Sequence, residues 1–143
     1  MEIAGIVAEY NPFHTGHAYQ IDCTRQKLGE DCALVAVMSG HWVQGGRPAV
    51  VDKWTRARMA LLGGVDLVLE LPTPWAASSA ESFARGAVGL LEGTGVVDVL
   101  SFGSECGDAD KLRRIAVCLN SPEYGAGLRR FLDEGMPFAA ARQ

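Results

Sequence analysis

Four short apolar runs, separated by stretches of helix length, constrain the fold of this chain more than any other feature. They are Glu2 to Glu9, Ala33 to Met38, Leu67 to Leu71 and Val97 to Phe102. The second, Ala33-Leu34-Val35-Ala36-Val37-Met38, shows no polar alternation, the pattern of a strand covered on both faces. Helices fit between the runs. One spans His17 to Leu28 and is stopped by Gly29; a second runs from an Asp52 cap through Leu62 to Gly63-Gly64. A third opens at Ser78 or Ser79 and continues to about Leu91. Beyond the fourth run, Asp108 starts a helix to about Leu119, and Pro122 sits in the first turn of another that ends near Glu134. This alternation predicts an α/β fold, a Rossmann-like doubly wound parallel sheet with helices on both faces. If strand four returns to the far side of strand one, the two are neighbours. The crevice at their carboxyl ends is then lined by Asn11 to His17 and by Gly103-Ser104-Glu105.

With 143 residues the chain is long enough for one domain with one core. A hydrophobic share of 48% and a charged share of 21% are ordinary for a globular protein. The net charge of −4 gives no general attraction to nucleic acid, so an RNA partner would need a local surface or one outside this chain. Cys23, Cys32, Cys106 and Cys118 form no C-x-x-C pair, which weighs against zinc. No basic, apolar, small-residue leader opens the chain, and no apolar run reaches the roughly 18 residues of a membrane span. A reduced, cytoplasmic setting is the expectation. The tail from Phe138 to Gln143 is helix-compatible without a cap or breaker, and reads as a fragment of a longer protein.

The segment that speaks to chemistry is Asn11-Pro12-Phe13-His14-Thr15-Gly16-His17, directly after the first strand. Two imidazoles three residues apart at a helix start can both face one phosphate, next to free backbone N–H groups and a partial positive charge. Gly16 removes a side chain where a base or phosphate would approach backbone. His-x-Gly-His is the signature of nucleotidyltransferases.

The chain also resembles one family along nearly its whole length. Gly5-Ile6-Val7-Ala8-Glu9-Tyr10-Asn11-Pro12-Phe13-His14-Thr15-Gly16-His17 resembles the amino-terminal signature of the bacterial tRNA(Met) cytidine acetate ligase family. Val37-Met38-Ser39-Gly40, Gly46-Arg47-Pro48-Ala49, the run from Gly64 to Pro72, Phe83-Ala84-Arg85-Gly86 and Phe102-Gly103-Ser104-Glu105 match as well. The resemblance implies a nucleotidyltransferase-like ATP-binding domain over 1–143, the N-terminal part of a longer protein. It implies that ATP and acetate form acetyl-adenylate, and that the acetyl group passes to the wobble cytidine of elongator tRNA(Met). Its ATP site maps onto Val7, Ala8, Glu9, Tyr10, Asn11, Pro12, Phe13, His14, Thr15, Gly16, His17, Ala18, Tyr19, Gln20 and Gly103. Mg2+ on the pyrophosphate follows from the chemistry, with no dedicated metal site. His14 and His17 are the catalytic candidates, as donors to the phosphates. Two departures stand out: Gly45 replaces the arginine usual after Gln44, and an asparagine and an arginine that complete the family's ATP site lie beyond this chain. The alternatives are an adenylyltransferase acting on a small cofactor precursor and a non-catalytic ATP- or RNA-binding fragment.

Other residues have bland readings beside functional ones. His41 faces either the crevice or solvent. Trp42, Trp54 and Trp75 either stack on a base or pack loops. Lys53, Arg56 and Arg58 form either a phosphate-contacting cluster or a solvated helix face. Glu70, inside an apolar run, needs a partner, and a structural one is favoured over catalysis.

Overall fold

The computed structural model describes residues 1–142, and the chain divides into two compact units, Met1–Gly103 and Ser104–Gln143. In the first unit the elements follow in order β1 (Ile3–Ala8), α1 (Thr15–Leu28), β2 (Ala33–Ser39), β3 (Trp42–Val43), β4 (Arg47–Pro48), α2 (Lys53–Leu62), β5 (Leu67–Leu71), α3 (Thr73–Ala76), α4 (Ala80–Gly93) and β6 (Val99–Ser101). The apolar runs pair into one parallel sheet in the order β5-β2-β1-β6. Ala4, Gly5 and Ile6 stand opposite Val99, Leu100 and Ser101, so β1 and β6, the first and fourth apolar runs, are neighbours, the arrangement in which the fourth run returns to the far side of the first.

Both faces of the sheet are covered, which explains the unbroken apolar character of β2. On one face Ala4, Ile6, Leu34, Ala36 and Met38 pack with Ile21 of α1 and Ala60 of α2. On the other, Val35, Val37 and Leu71 pack with Ala76 of α3 and with Phe83, Ala87 and Leu91 of α4. Alternate residues of β2 thus point to opposite helical layers. Gly5 lets α4 approach the middle of β1: a Cβ there would lie 2.7 Å from Leu91 Cδ1 and 3.0 Å from Val97 Cγ1.

Most helix starts follow the caps legible in the sequence. Asp52 accepts from Thr55 N at α2, and Ser79 from Ser82 N at α4. The exceptions are instructive. α1 begins at Thr15, two residues before His17, because His14 itself serves as the cap. Pro72, which stops β5, also introduces the short α3. The loop from Ser39 to Pro48 carries the two-residue strands β3 and β4, with Trp42 opposite Pro48 and Val43 opposite Arg47. Strands that short have no periodicity to read.

The second unit contains α5 (Ala109–Leu119), α6 (Pro122–Asp133) and α7 (Phe138–Ala141). Asp108 and Ser121 cap the first two, and Tyr124 Oη donates to Arg142 O at 3.2 Å.

Gly5→Ala adds one methyl group to a filled space between β1 and α4. The expected cost is about 1–3 kcal/mol, read as a lower urea midpoint with an unchanged slope.

Candidate functional site

At the carboxyl end of β1 the chain makes an abrupt turn. Tyr10 adopts φ 46°, in the left-handed region that a tyrosine rarely enters, and the Asn11–Pro12 peptide is cis. A tyrosine at that positive φ costs of the order of 1–3 kcal/mol and persists where packing over-determines it. Here the Tyr10 side chain is fully buried. Its ring meets Phe13 at 5.2 Å between centroids and His17 edge-on at 4.8 Å. Burial pushes the Tyr10 hydroxyl up to about 12, so it is neutral across the physiological range.

The two histidines are fixed by an exchange of backbone hydrogen bonds. Gly16 N donates to His14 Nδ1 at 3.1 Å, and His14 N donates to His17 Nδ1 at 3.2 Å. This is a capping box built from imidazoles in place of a hydroxyl and a carboxylate. The arrangement settles the tautomer. A ring nitrogen that accepts from an N–H carries no proton, so each neutral ring holds its proton on Nε2. The rings stack with centroids 3.7 Å apart and planes at 23°. The result is a pair of adjacent Nε2–H donors with both Nδ1 atoms committed to the backbone. Burial, and secondarily the neighbouring His14, lower the pKa of His17 and favour its neutral form. Gly16 also serves the cap itself. A Cβ there would meet His14 Cε1 at 3.0 Å and Nδ1 at 3.1 Å, so the glycine makes room for the capping ring.

These residues wall a cleft of about 340 Å³, lined by Val7, Ala8, Glu9, Tyr10, Asn11, Pro12, His14, His17 and Gln20. All nine fall within the segment that the sequence singled out. Of the remaining residues of that set, Phe13 packs behind the wall against Tyr10 and His17, while Thr15, Gly16, Ala18 and the exposed Tyr19 do not line the cleft. Gly103 follows β6 and is also absent from the lining. Ser104 and Glu105 belong to the second unit. Among the described residues no group of three or more His, Cys, Asp or Glu is arranged to hold a metal ion.

Hydrogen bonds tie the cleft wall to the surrounding elements. Gln20 Nε2 donates to Ser101 O at 3.0 Å, which joins α1 to β6. Glu9 Oε1 accepts from Gln44 N and Asn11 Oδ1 from Val50 N, each at 2.8 Å, which fasten the β3–β4 loop to the rim. In that loop Gly45 and Gly46 both take positive φ, 75° and 70°, a conformation glycine adopts freely.

This chain matches known proteins in sequence and in fold. Residues 1–143 match the HIGH Nucleotidyl Transferase family. The chain belongs to that family. It is 50% identical over 146 residues to a tRNA(Met) cytidine acetate ligase of Clostridium tetani, covering all of this chain and 36% of the relative. A ligase of the same name from Caldanaerobacter subterraneus is 52% identical over 145 residues, with the same shares covered. The crystal structure of Thermotoga maritima TmcAL bound with alpha-thio ATP superposes with a TM-score of 0.90 at 46% identity, covering 99% of this chain and 35% of that one. The chain therefore spans about a third of the length of the curated relatives it matches.

Within this HIGH nucleotidyl transferase fold, the ambiguous residues separate clearly. Lys53 pairs with Glu70 at 2.6 Å, so the carboxylate in the apolar run has a structural partner. Arg25 and Leu34 N share Asp66 Oδ2, at 3.2 and 2.8 Å. His41 is exposed and outside the cleft lining. Trp75 packs on Gly86 of α4, while Trp54 is 72% exposed with Lys53 Nζ 5.1 Å over its ring. Arg56 was the misread residue. It is neither a phosphate-facing nor a solvated cation but wholly buried, and its guanidinium donates to backbone carbonyls of Glu9, Ser39, Gly40 and Val51. The available signal was its spacing of four from Ala60 on the buried stripe of α2; against it stood the rarity of buried arginine.

Acid should loosen the imidazole cap, because a proton on Nδ1 turns an acceptor into a second donor. The folded pKa of His17 lies below its ordinary 6.5, so its contribution to stability is complete above that value and is lost as pH falls through the lowered one. The expected observation is a roughly fivefold drop in hydrogen-exchange protection of the His14 amide in acid, the loss of one cap worth about 1 kcal/mol. Protection that stays constant at a pH where nitrogen-15 NMR shows the His17 ring protonated would contradict the cap assignment.

Proposed function

We propose that this chain is the ATP-using core of a tRNA(Met) cytidine acetate ligase. The observation that carries the proposal is the pair of backbone-locked imidazoles on the cleft wall. Family membership and the likeness to a relative crystallised with an ATP analogue support it. ATP occupies the Val7–Gln20 wall, with Gly103 as a further contact.

In the first step a carboxylate oxygen of acetate attacks the α-phosphorus. The new P–O bond forms as the bond to the bridging oxygen breaks, and pyrophosphate leaves. No covalent enzyme intermediate is needed. Charge grows on the bridging and equatorial oxygens, and the Nε2–H groups of His14 and His17 donate to them. Because these donors are already held by the helix cap, they need little reorganisation as charge develops. Neutral imidazole suffices as a donor, consistent with the lowered pKa of His17. Mg2+ enters as the counter-ion carried on the nucleotide's own phosphates. In the second step the exocyclic amine of the wobble cytidine of elongator tRNA(Met) attacks the acetyl carbonyl. AMP departs, and the amine gives up one proton. The net charge of −4 offers RNA no general attraction, so this reading assigns most tRNA contact to the additional length that the relatives carry. The cytoplasm supplies all three substrates and is the proposed location.

Acetate-dependent ATP–pyrophosphate exchange tests the proposal. His17→Ala is expected to lower exchange by about 10²–10³-fold, the cost of one lost donor at ~3–4 kcal/mol, while the protein stays folded. His14→Ser sharpens the test. Serine preserves a side-chain acceptor at the cap and removes the ring donor, so stability should hold while exchange falls by a similar factor. Wild-type exchange in either folded variant would refute the donor roles. Exchange that ignores acetate and responds to another acid would redirect the proposal to a different substrate.

A further inference from the structure

Arg56 is the largest fully buried side chain in the first unit, and the chemistry proposed above makes no use of it. Its position is costly, because a charge removed from water needs a partner. Among the described residues it makes no ion pair. Every acceptor it has is a neutral oxygen. Nε donates to Val51 O at 3.2 Å; one terminal nitrogen donates to Glu9 O at 2.6 Å and to Ser39 Oγ at 3.4 Å; the other donates to Ser39 O at 2.9 Å and to Gly40 O.

These acceptors belong to three segments: the chain just past β1, the end of β2, and the approach to α2. Carbonyls at strand ends that leave the ladder need donors, and one planar fork reaches several of them at once, with Ser39 Oγ a second donor to the Glu9 carbonyl. Glu9 is the critical partner. Its backbone oxygen is held by Arg56 and its side chain by Gln44 N. The next residue is Tyr10, at φ 46°, where the chain swings into the histidine cap. Glu9 also lines the cleft. We propose that Arg56 is a positioning residue for the nucleotide reaction: by clamping the Glu9, Ser39 and Gly40 carbonyls together, its guanidinium sets the turn that presents His14 and His17. The inference rests on the reading of the cleft as an ATP site. A lysine carries the charge but cannot fork across the Glu9 and Ser39–Gly40 carbonyls at once. A neutral side chain takes these donors away from those carbonyls.

The test compares the 143-residue chain with its Arg56→Lys and Ser39→Ala variants. Magnesium-ATP binding is read by calorimetry, imidazole tautomers by nitrogen-15 NMR, and folding by circular dichroism and urea unfolding. Folded Arg56→Lys is expected to bind ATP about tenfold or more weakly, the scale of a misplaced site. Its two histidines should lose the pure Nε2–H pattern. Ser39→Ala removes the hydroxyl shared by Arg56 and the Glu9 carbonyl, and should weaken ATP about threefold, one modest hydrogen bond. A folded Arg56→Lys with unchanged affinity and unchanged imidazole signals overturns the proposal. If that variant does not fold, Ser39→Ala decides: weakened binding supports positioning, and wild-type affinity overturns it. If the wild-type chain binds no ATP, the ATP reading fails on its own. The imidazole spectra of the folded variants then judge Arg56, and unchanged spectra refute its role.

Discussion

The pairing of β1 with β2 is the constraint on which the rest of the first unit depends. Six consecutive residues, Ile3 to Ala8, stand in parallel register with Ala33 to Met38. Parallel pairing places the carboxyl ends of both strands at the same edge, and helical layers on both faces leave that edge as the place where chains can diverge. The strand-end carbonyls of Glu9, Ser39 and Gly40 meet there, and the buried guanidinium of Arg56 gathers them. The left-handed turn at Tyr10, the stacked imidazoles and the cleft follow within a few residues.

The cap on α1 joins structure to chemistry. A helix start normally takes a serine, threonine or aspartate acceptor. Using imidazoles instead does two things at once. It satisfies the first N–H groups of the helix, and it fixes which nitrogen of each ring keeps the proton. The site therefore presents donors whose tautomer is set by the fold and not by the substrate. The stacking of His14 on His17, and the edge of Tyr10 against His17, restrict the rings further. A pair held this way suits a reaction whose main demand is donors aimed at developing phosphate charge.

Much of this was legible before any coordinates. The unbroken apolar run of β2 announced a strand covered on both faces, and Val35 and Ala36 do point into opposite layers. Asp52 and Asp108 cap the helices they were expected to start, Ser79 is the cap of the Ser78–Ser79 pair, and Pro122 does sit in the first turn of its helix. The cleft wall includes Asn11, Pro12, His14 and His17 of the segment marked by its histidines and glycine, and all of it lies in the Val7–Gln20 span that the family resemblance implied. What stayed hidden was of another kind. The β3–β4 hairpin is too short to show a period. That Gly16 leaves room for the capping ring depended on where the His14 ring turned. Arg56 read as one cation in a basic helix because pattern rules treat charge as a mark of exposure.

The sequence by itself determined the order of the four sheet strands and the main helices, the parallel sheet and the histidine turn at the end of the first strand, because periodicity, caps and turn residues act locally along the chain. Tertiary structure alone decided which histidine nitrogen holds its proton, that Gln20 is tied to Ser101, and that Arg56 is enclosed by strand-end carbonyls. Each of these depends on hydrogen bonds whose geometry exists only after the segments have packed. No local pattern of residue types encodes which acceptor a buried donor will find.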